Sequence, residues 1–290
     1  MTVLVTGATG NVGAHVVREL EHRNVPVRAF VRDAARAVER LGDVELAVGD
    51  LSDTNSIRRA MDGVDRVFLS SADGPQKVEH ETAVIDVAAD AGVELIVKTS
   101  TLNAQIGSPL PPFDWNGRSE DHLRRSGIPG VILASAFYMT NLLALTEPVR
   151  HKGILPAPAG DGAIGMIDPR DVAAVGALVL AGDGHAGRSY RLTGPEAITY
   201  ASIAEELGRA IGSLVRYVDL PPEAARQRFE TDGMPDWLVE HLDHAFALIR
   251  AGTFDETTDV VRALTGRDPR GIDEFAHDHA ARFSAATAPA

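Results

Sequence analysis

The chain has 290 residues, 44% apolar and 24% charged, which is enough for one large domain or a core with an appended lobe. A net charge of −13 argues against nucleic acid as a partner, which needs clustered cations, and disfavours anionic membranes, and without cysteine there is no disulfide, thiolate nucleophile or Cys-ligated metal site. No apolar run approaches the roughly 18 residues needed to span a bilayer, and the N-terminus lacks a basic leader, so a cytoplasmic protein with no membrane partner is expected.

The first half alternates short β-branched runs with helical spacing. Strands are expected at Val3–Val5, Val27–Val31, Val44–Val48, Asp65–Leu69 and Glu94–Val97, with helices at Val12–Leu20, Ala34–Leu41, Ser56–Met61 and Val78–Ala91. Such alternation, with mostly apolar strands that do not alternate with polar residues, points to α/β architecture: a doubly wound parallel sheet buried on both faces. After Ser100 the pattern changes. Gly107–Pro112 reads as a loop, followed by a helix near Trp115–Ser126 and a strand at Val131–Leu133. Gly153–Gly165 is a second Pro/Gly-rich segment. Asp168-Pro169-Arg170-Asp171 has the form of a helix start, with Asp168 as N-cap and Pro169 at the first helical position. Arg188–Leu192 reads as a late strand. From Tyr200 the chain is mainly helical, with breaks near Pro221, Gly233 and Gly252 and a frayed tail at Ala285–Ala290. Residues 1–135 are therefore expected to form a core joined by the late strand, and residues 136–187 and 193–290 a smaller, mostly helical lobe.

TGATGNVG lies between the first strand and the first helix, the context in which a glycine loop becomes a phosphate cradle. Gly7 permits the tight turn, Gly10 lets the backbone approach a pyrophosphate, and Gly13 lets the helix pack on the strand. The helix N-terminus offers free N–H groups to the phosphates. At the end of strand two, Arg32 occupies the place of a ribose 2′-phosphate ligand. This favours NADP(H), with NAD(H) as the alternative carrier. Asp33 beside it either opposes that role or caps the next helix. Asp50 and Leu51 follow strand three on the adenine side. Ser70 and Ser71 end strand four, and Thr99 and Ser100 end strand five, where ligands of such sheets bind.

TGATGNVG, VRD at 31–33, GDLSD at 49–53, VKTS at 97–100, AFYMTN at 136–141, IDPRDVA at 167–173 and LTGPEAITY at 192–200 together resemble the NmrA-like branch of the atypical short-chain dehydrogenase/reductases. Within it the chain is similar to NAD(P)H-binding proteins related to type 2 quinone oxidoreductases and triphenylmethane reductase. The resemblance implies a Rossmann core that binds the dinucleotide and a small C-terminal lobe that faces the substrate, with the cleft between them, cofactor held by Gly7, Thr9, Gly10, Asn11, Val12, Arg32, Asp50, Leu51, Ser70, Ser71 and Lys98, and Phe137 near the nicotinamide. Short-chain reductases carry Tyr-x-x-x-Lys on the helix after strand five. Aligned through Glu120, this chain has Pro112 and Asn116 at those places.

The expected activity is NADPH-dependent hydride transfer to a quinone-like or conjugated aromatic acceptor, consistent with secondary metabolism, by a monomer or homodimer. The reduced oxyanion of such an acceptor is delocalised, so a dedicated acid matters less than for a simple ketone. Ser100, Asn116 and Tyr138, with Asn141, are the candidate catalytic polar groups. Asn116 either donates a hydrogen bond to the substrate or caps the helix near Gly117. The rival reading, suggested by the absent Tyr and Lys, is a dinucleotide-binding redox sensor without chemistry.

Overall fold

The computed structural model describes residues 1–284; the tail at 285–290 lies outside the described residues. The first half runs β1 (Val3–Val5), α1 (Gly13–His22), β2 (Val27–Val31), α2 (Ala34–Leu41), β3 (Glu45–Val48), α3 (Thr54–Met61), β4 (Arg66–Leu69), α4 (Lys77–Ala91), β5 (Leu95–Thr101), α5 (Pro111–Arg125) and β6 (Gly130–Ser135). It continues with β7 (Phe137–Tyr138), a 3-10 turn over Met139–Leu145, α6 (Thr146–Lys152), β8 (Ile154–Ala157), β9 (Ala163–Ile167), α7 (Pro169–Ala181) and β10 (Ser189–Leu192). The rest is β11 (Ala197–Thr199), α8 (Tyr200–Ile211), β12 (Arg216–Asp219), α9 (Pro222–Thr231), α10 (Asp236–Arg250), α11 (Val260–Thr265) and α12 (Ile272–Phe283).

Seven strands form a parallel sheet in the order β10-β6-β5-β4-β1-β2-β3. The order reverses between β1 and β4, so the crevice beyond their C-terminal ends is where the sheet can admit a dinucleotide. Val16, Val17 and Leu20 of α1 and Val172, Val175 and Val179 of α7 cover one face. Ile57 and Met61 of α3, Val84, Ile85 and Ala88 of α4 and Leu123 of α5 cover the other. A second core gathers Leu155, Ile164, Met166, Ile203, Leu207, Phe275 and Phe283 into the smaller lobe, and Phe113 of α5 joins it. Among the described residues no helix is long and apolar enough to cross a membrane.

Two expectations need correction, and one segment left without an assigned element gains strands. Pro111 and Pro112 are the first residues of α5 rather than loop, because proline lacks only an N–H that the first turn leaves unpaired anyway. The Pro/Gly-rich segment 153–165 contains two strands: β8 pairs in parallel with β12, and β9 pairs with β7 and β11. The lobe boundary also shifts. α7 and α11, placed with the lobe by chain position, pack into the sheet core through residues such as Val172, Val179 and Val261. Asp168 does cap α7, accepting from the Arg170 N–H at 2.8 Å, whereas the Asp171 carboxylate accepts from the Arg270 backbone N–H at 2.8 Å.

Candidate active site

The cradle is built by close approach. Gly7 has φ +59°, and a Cβ there would lie 2.7 Å from the Ser70 carbonyl oxygen. A Cβ on Gly13 would lie 2.3 Å from the Gly7 oxygen, and one on Gly10 would lie 2.9 Å from the same atom. Gly10 is thus required by the loop's own turn, closed by its N–H donating to Gly7 O at 2.8 Å. Thr6 ties the ends of β1 and β4 together: its hydroxyl donates to Ser70 O at 2.8 Å and accepts from Ser70 N–H at 2.9 Å. The first turn of α1 carries no acidic side chain and no side-chain cap; the Ala14, His15 and Val16 N–H groups turn back onto the Gly10 and Val12 carbonyls, which leaves the N–H groups of Val12 and Gly13 at the helix start. Asn11 reaches over the crevice to the lobe, donating to Thr140 Oγ1 at 2.6 Å.

Arg32 stands exposed just beyond the end of β2. Among the described residues it has no ion pair. Asp33 caps α2 by accepting from Arg36 N–H at 3.1 Å and makes no ion pair with the Arg32 guanidinium. Asp50 turns into its own loop. Its Oδ1 accepts from the Ser52 N–H at 2.9 Å and hydroxyl at 2.7 Å, and these bonds hold the carboxyl below its usual range.

One cleft of about 610 Å³ runs from this cradle to the seam between sheet and lobe, within the size range of small-molecule sites. Its far end is aromatic. Phe113 and Phe137 both pack edge-on against Phe254, with ring centroids 6.1 and 5.0 Å apart. The His241 ring tilts against Phe113 at 6.3 Å. Behind the cleft wall lies a buried charged network. Lys98 Nζ donates to Asn116 Oδ1 at 2.8 Å and to its neighbour Thr99 O at 2.9 Å, and pairs with Glu81 at 3.0 Å. Glu81 also pairs with Lys77 at 3.0 Å and accepts from the Ser71 hydroxyl at 2.8 Å. Burial would raise the Glu81 pKa, but the two ammonium groups prevail and hold it at about 2. Burial lowers the Lys98 pKa, while at Lys77 burial is overcome by Glu81 and Asp73 and the pKa is raised.

The model of the NmrA-like family matches residues 1–276. The chain belongs to the NmrA-like family. It is 37% identical over 285 residues to an NAD(P)H azoreductase of Xenophilus azovorans, covering 98% of this chain and all of the relative. Two solved structures share this NmrA-like fold. An NADPH-dependent quinone oxidoreductase of Escherichia coli complexed with NADPH superposes with TM-score 0.85 at 30% identity, over 95% of this chain and 99% of that one. Triphenylmethane reductase of Citrobacter sp. complexed with NADP(H) gives TM-score 0.83 at 26% identity, over 96% and 99%.

The cleft of this NmrA-like chain is lined by Gly7, Thr9, Gly10, Asn11, Val12, Arg32, Asp50, Leu51, Ser70, Ser71, Ser100, Asn116, Phe137, Tyr138 and Asn141. Lys98 is the exception. Its side chain is fully buried and directed into the network with Glu81 and Asn116, so it supports the wall and does not line the cleft. Asn116 sits inside α5, which corrects the capping alternative. Its Nδ2 donates to Pro112 O at 2.9 Å, and its Oδ1 is held by Lys98. The Ser100 hydroxyl donates to Glu120. Burial pushes the Tyr138 phenol up, so it stays protonated at neutral pH. Sequence reasoning missed Phe113 and His241. Phe113 lay next to a presumed loop, and nothing in the pattern of α10 marks His241, because only the docking of the lobe brings it to the cleft.

Proposed function

We propose that the chain is an NADPH-dependent reductase of quinone-like, azo or other conjugated aromatic acceptors. The observation that carries this reading is the continuity of one cleft from a glycine cradle to an aromatic-walled end. The cradle fits the group: the space beside Gly7 and Gly13 is closed to any Cβ, and backbone N–H groups and Arg32 meet anionic phosphates. NADPH, when bound, supplies a hydride from its nicotinamide ring.

The chain's residues do the rest by position. Ser70 and the first turn of α1 frame the pyrophosphate, and Arg32 pairs with the 2′-phosphate. Phe137 and Phe113, both packed edge-on against Phe254, give the acceptor an apolar aromatic wall beside the nicotinamide. Asn116, locked by Lys98 and Pro112, offers its second amide hydrogen towards the acceptor, and Tyr138 is a second protonated donor. We read Pro112 and Asn116 as standing where short-chain reductases keep Tyr and Lys, a loss that conjugated acceptors tolerate because their reduced anions are delocalised.

The test is oxidation of NADPH by purified protein across quinones, azo dyes, triphenylmethane dyes and enones. Turnover on at least one class is expected. Tight NADPH binding without turnover on any would instead favour the sensor reading.

A further inference from the structure

The proposed reduction needs a proton as well as a hydride, and the polar groups first considered for it are already engaged. The Ser100 hydroxyl hydrogen is committed to Glu120, Asn116 carries no acidic proton, and burial keeps the Tyr138 phenol from titrating near neutrality. Two imidazoles line the cleft. His80, on α4, lies close enough to Asp50 to influence its charge, which places it at the cradle end. His241, on α10, packs against Phe113 in the aromatic end. Its Nδ1 is shut off from solvent and has no hydrogen-bond partner among the described residues. Nδ1 is therefore closed to the cleft as well, and Nε2, which makes no hydrogen bond among the described residues, is the ring nitrogen left to meet a ligand there.

We propose that His241 is the proton donor of the acceptor end, giving a proton from its imidazolium to the oxygen or nitrogen on which negative charge develops during reduction. This inference rests on the reductase reading. Hydride brings two electrons and one hydrogen to the acceptor; an imidazolium N–H bond breaks, an O–H or N–H bond forms on the acceptor, and the neutral imidazole recovers its proton from water. The surroundings fit a group that must charge and discharge. Burial against Phe113 and the neighbouring His244 lower the His241 pKa, while the Asp73 carboxylate, from the loop between β4 and α4, opposes them. From α5 the facing ring is the uncharged Phe113, and the Trp115–Trp237 pair, centroids 5.2 Å apart, closes the same α5–α10 seam. The imidazolium is therefore the minor form at neutral pH, and the rate should rise as the pH falls.

The experiment uses the full-length protein with NADPH and either 1,4-naphthoquinone or the azo dye methyl red. His241→Phe keeps a ring against Phe113. His241→Gln keeps a hydrogen-bond donor that cannot titrate. For the wild type, kcat/KM should fall as pH rises through a limb lying below the ordinary histidine value of about 6.5. Both variants should lose that limb, and His241→Phe should lose about 100-fold in kcat/KM on its acid side, with the NADPH Kd unchanged within about twofold by calorimetry. Wild-type turnover with unaltered rates and pH profiles in both variants would overturn the His241 role and leave the reductase reading standing. Absence of wild-type turnover on every acceptor would overturn both.

Discussion

Replacing Glu81 by Gln should destabilise the protein by about 3 kcal/mol near neutral pH. Glu81 is fully buried between Lys77 and Lys98, each 3.0 Å away, and its pKa is held at about 2 against an ordinary 4.5. At about 1.4 kcal/mol per unit, that depression corresponds to roughly 3 kcal/mol of stability. It falls at the lower end of the range of about 3–5 kcal/mol for breaking a buried ion pair, because Lys98, its pKa already lowered, can shed its proton once the anion is gone. The sign follows from linkage. A carboxyl with a depressed folded-state pKa stabilises fully above its unfolded value, and that stability disappears as pH falls through the folded value. The gap between wild type and Glu81→Gln should therefore be complete above about pH 5 and narrower by roughly 1 kcal/mol near pH 3.5. Urea unfolding followed by circular dichroism at both pH values measures it. Adding Lys98→Met should recover part of the loss, since Lys77 keeps Asp73 at 3.4 Å. A gap below about 1 kcal/mol at neutral pH, or one that does not change with pH, would refute the reasoning.

Two further outcomes bear on the cradle. Arg32→Ala should weaken NADPH binding about 10- to 100-fold and NADH binding little, as loss of a charge-assisted phosphate contact requires; equal losses in calorimetry would remove the 2′-phosphate role. Gly13→Ala places a Cβ 2.3 Å from the Gly7 carbonyl oxygen, so the loop must shift; NADPH binding should be lost, and the melting temperature should drop by several degrees in differential scanning fluorimetry. A Gly13→Ala protein that binds NADPH normally would show that the loop geometry is not what holds the phosphates.

The Rossmann half was legible because parallel strands buried on both faces read as largely apolar runs, as in Val3–Val5 and, around the single Arg28, Val27–Val31, and because Asp33 and Asp168 announce helix starts. What failed depends on contacts distant in sequence. β8 is a short edge strand whose partner β12 lies some sixty residues on, so Pro156 and the nearby glycines masked it. α7 is apolar almost all round, the mark of a helix packed into the core, yet its chain position suggested the lobe. Lys98, on β5, has the residue type and place of a cofactor ligand, but its partner Glu81 sits on α4. His241 shows the limit most clearly, since it borders the cleft only because α10 docks over α5.

The central claim is that hydride passes from NADPH to an acceptor in this cleft. Single-turnover mixing of the protein with NADPH deuterated at the transferring position of its nicotinamide C4, followed by the near-ultraviolet absorbance of the dihydronicotinamide, tests it most directly. One NADPH should be oxidised per acceptor reduced, and the deuterated cofactor should react more slowly by a primary isotope effect. Stable binding of NADPH with no oxidation by any quinone, azo dye or enone would contradict it.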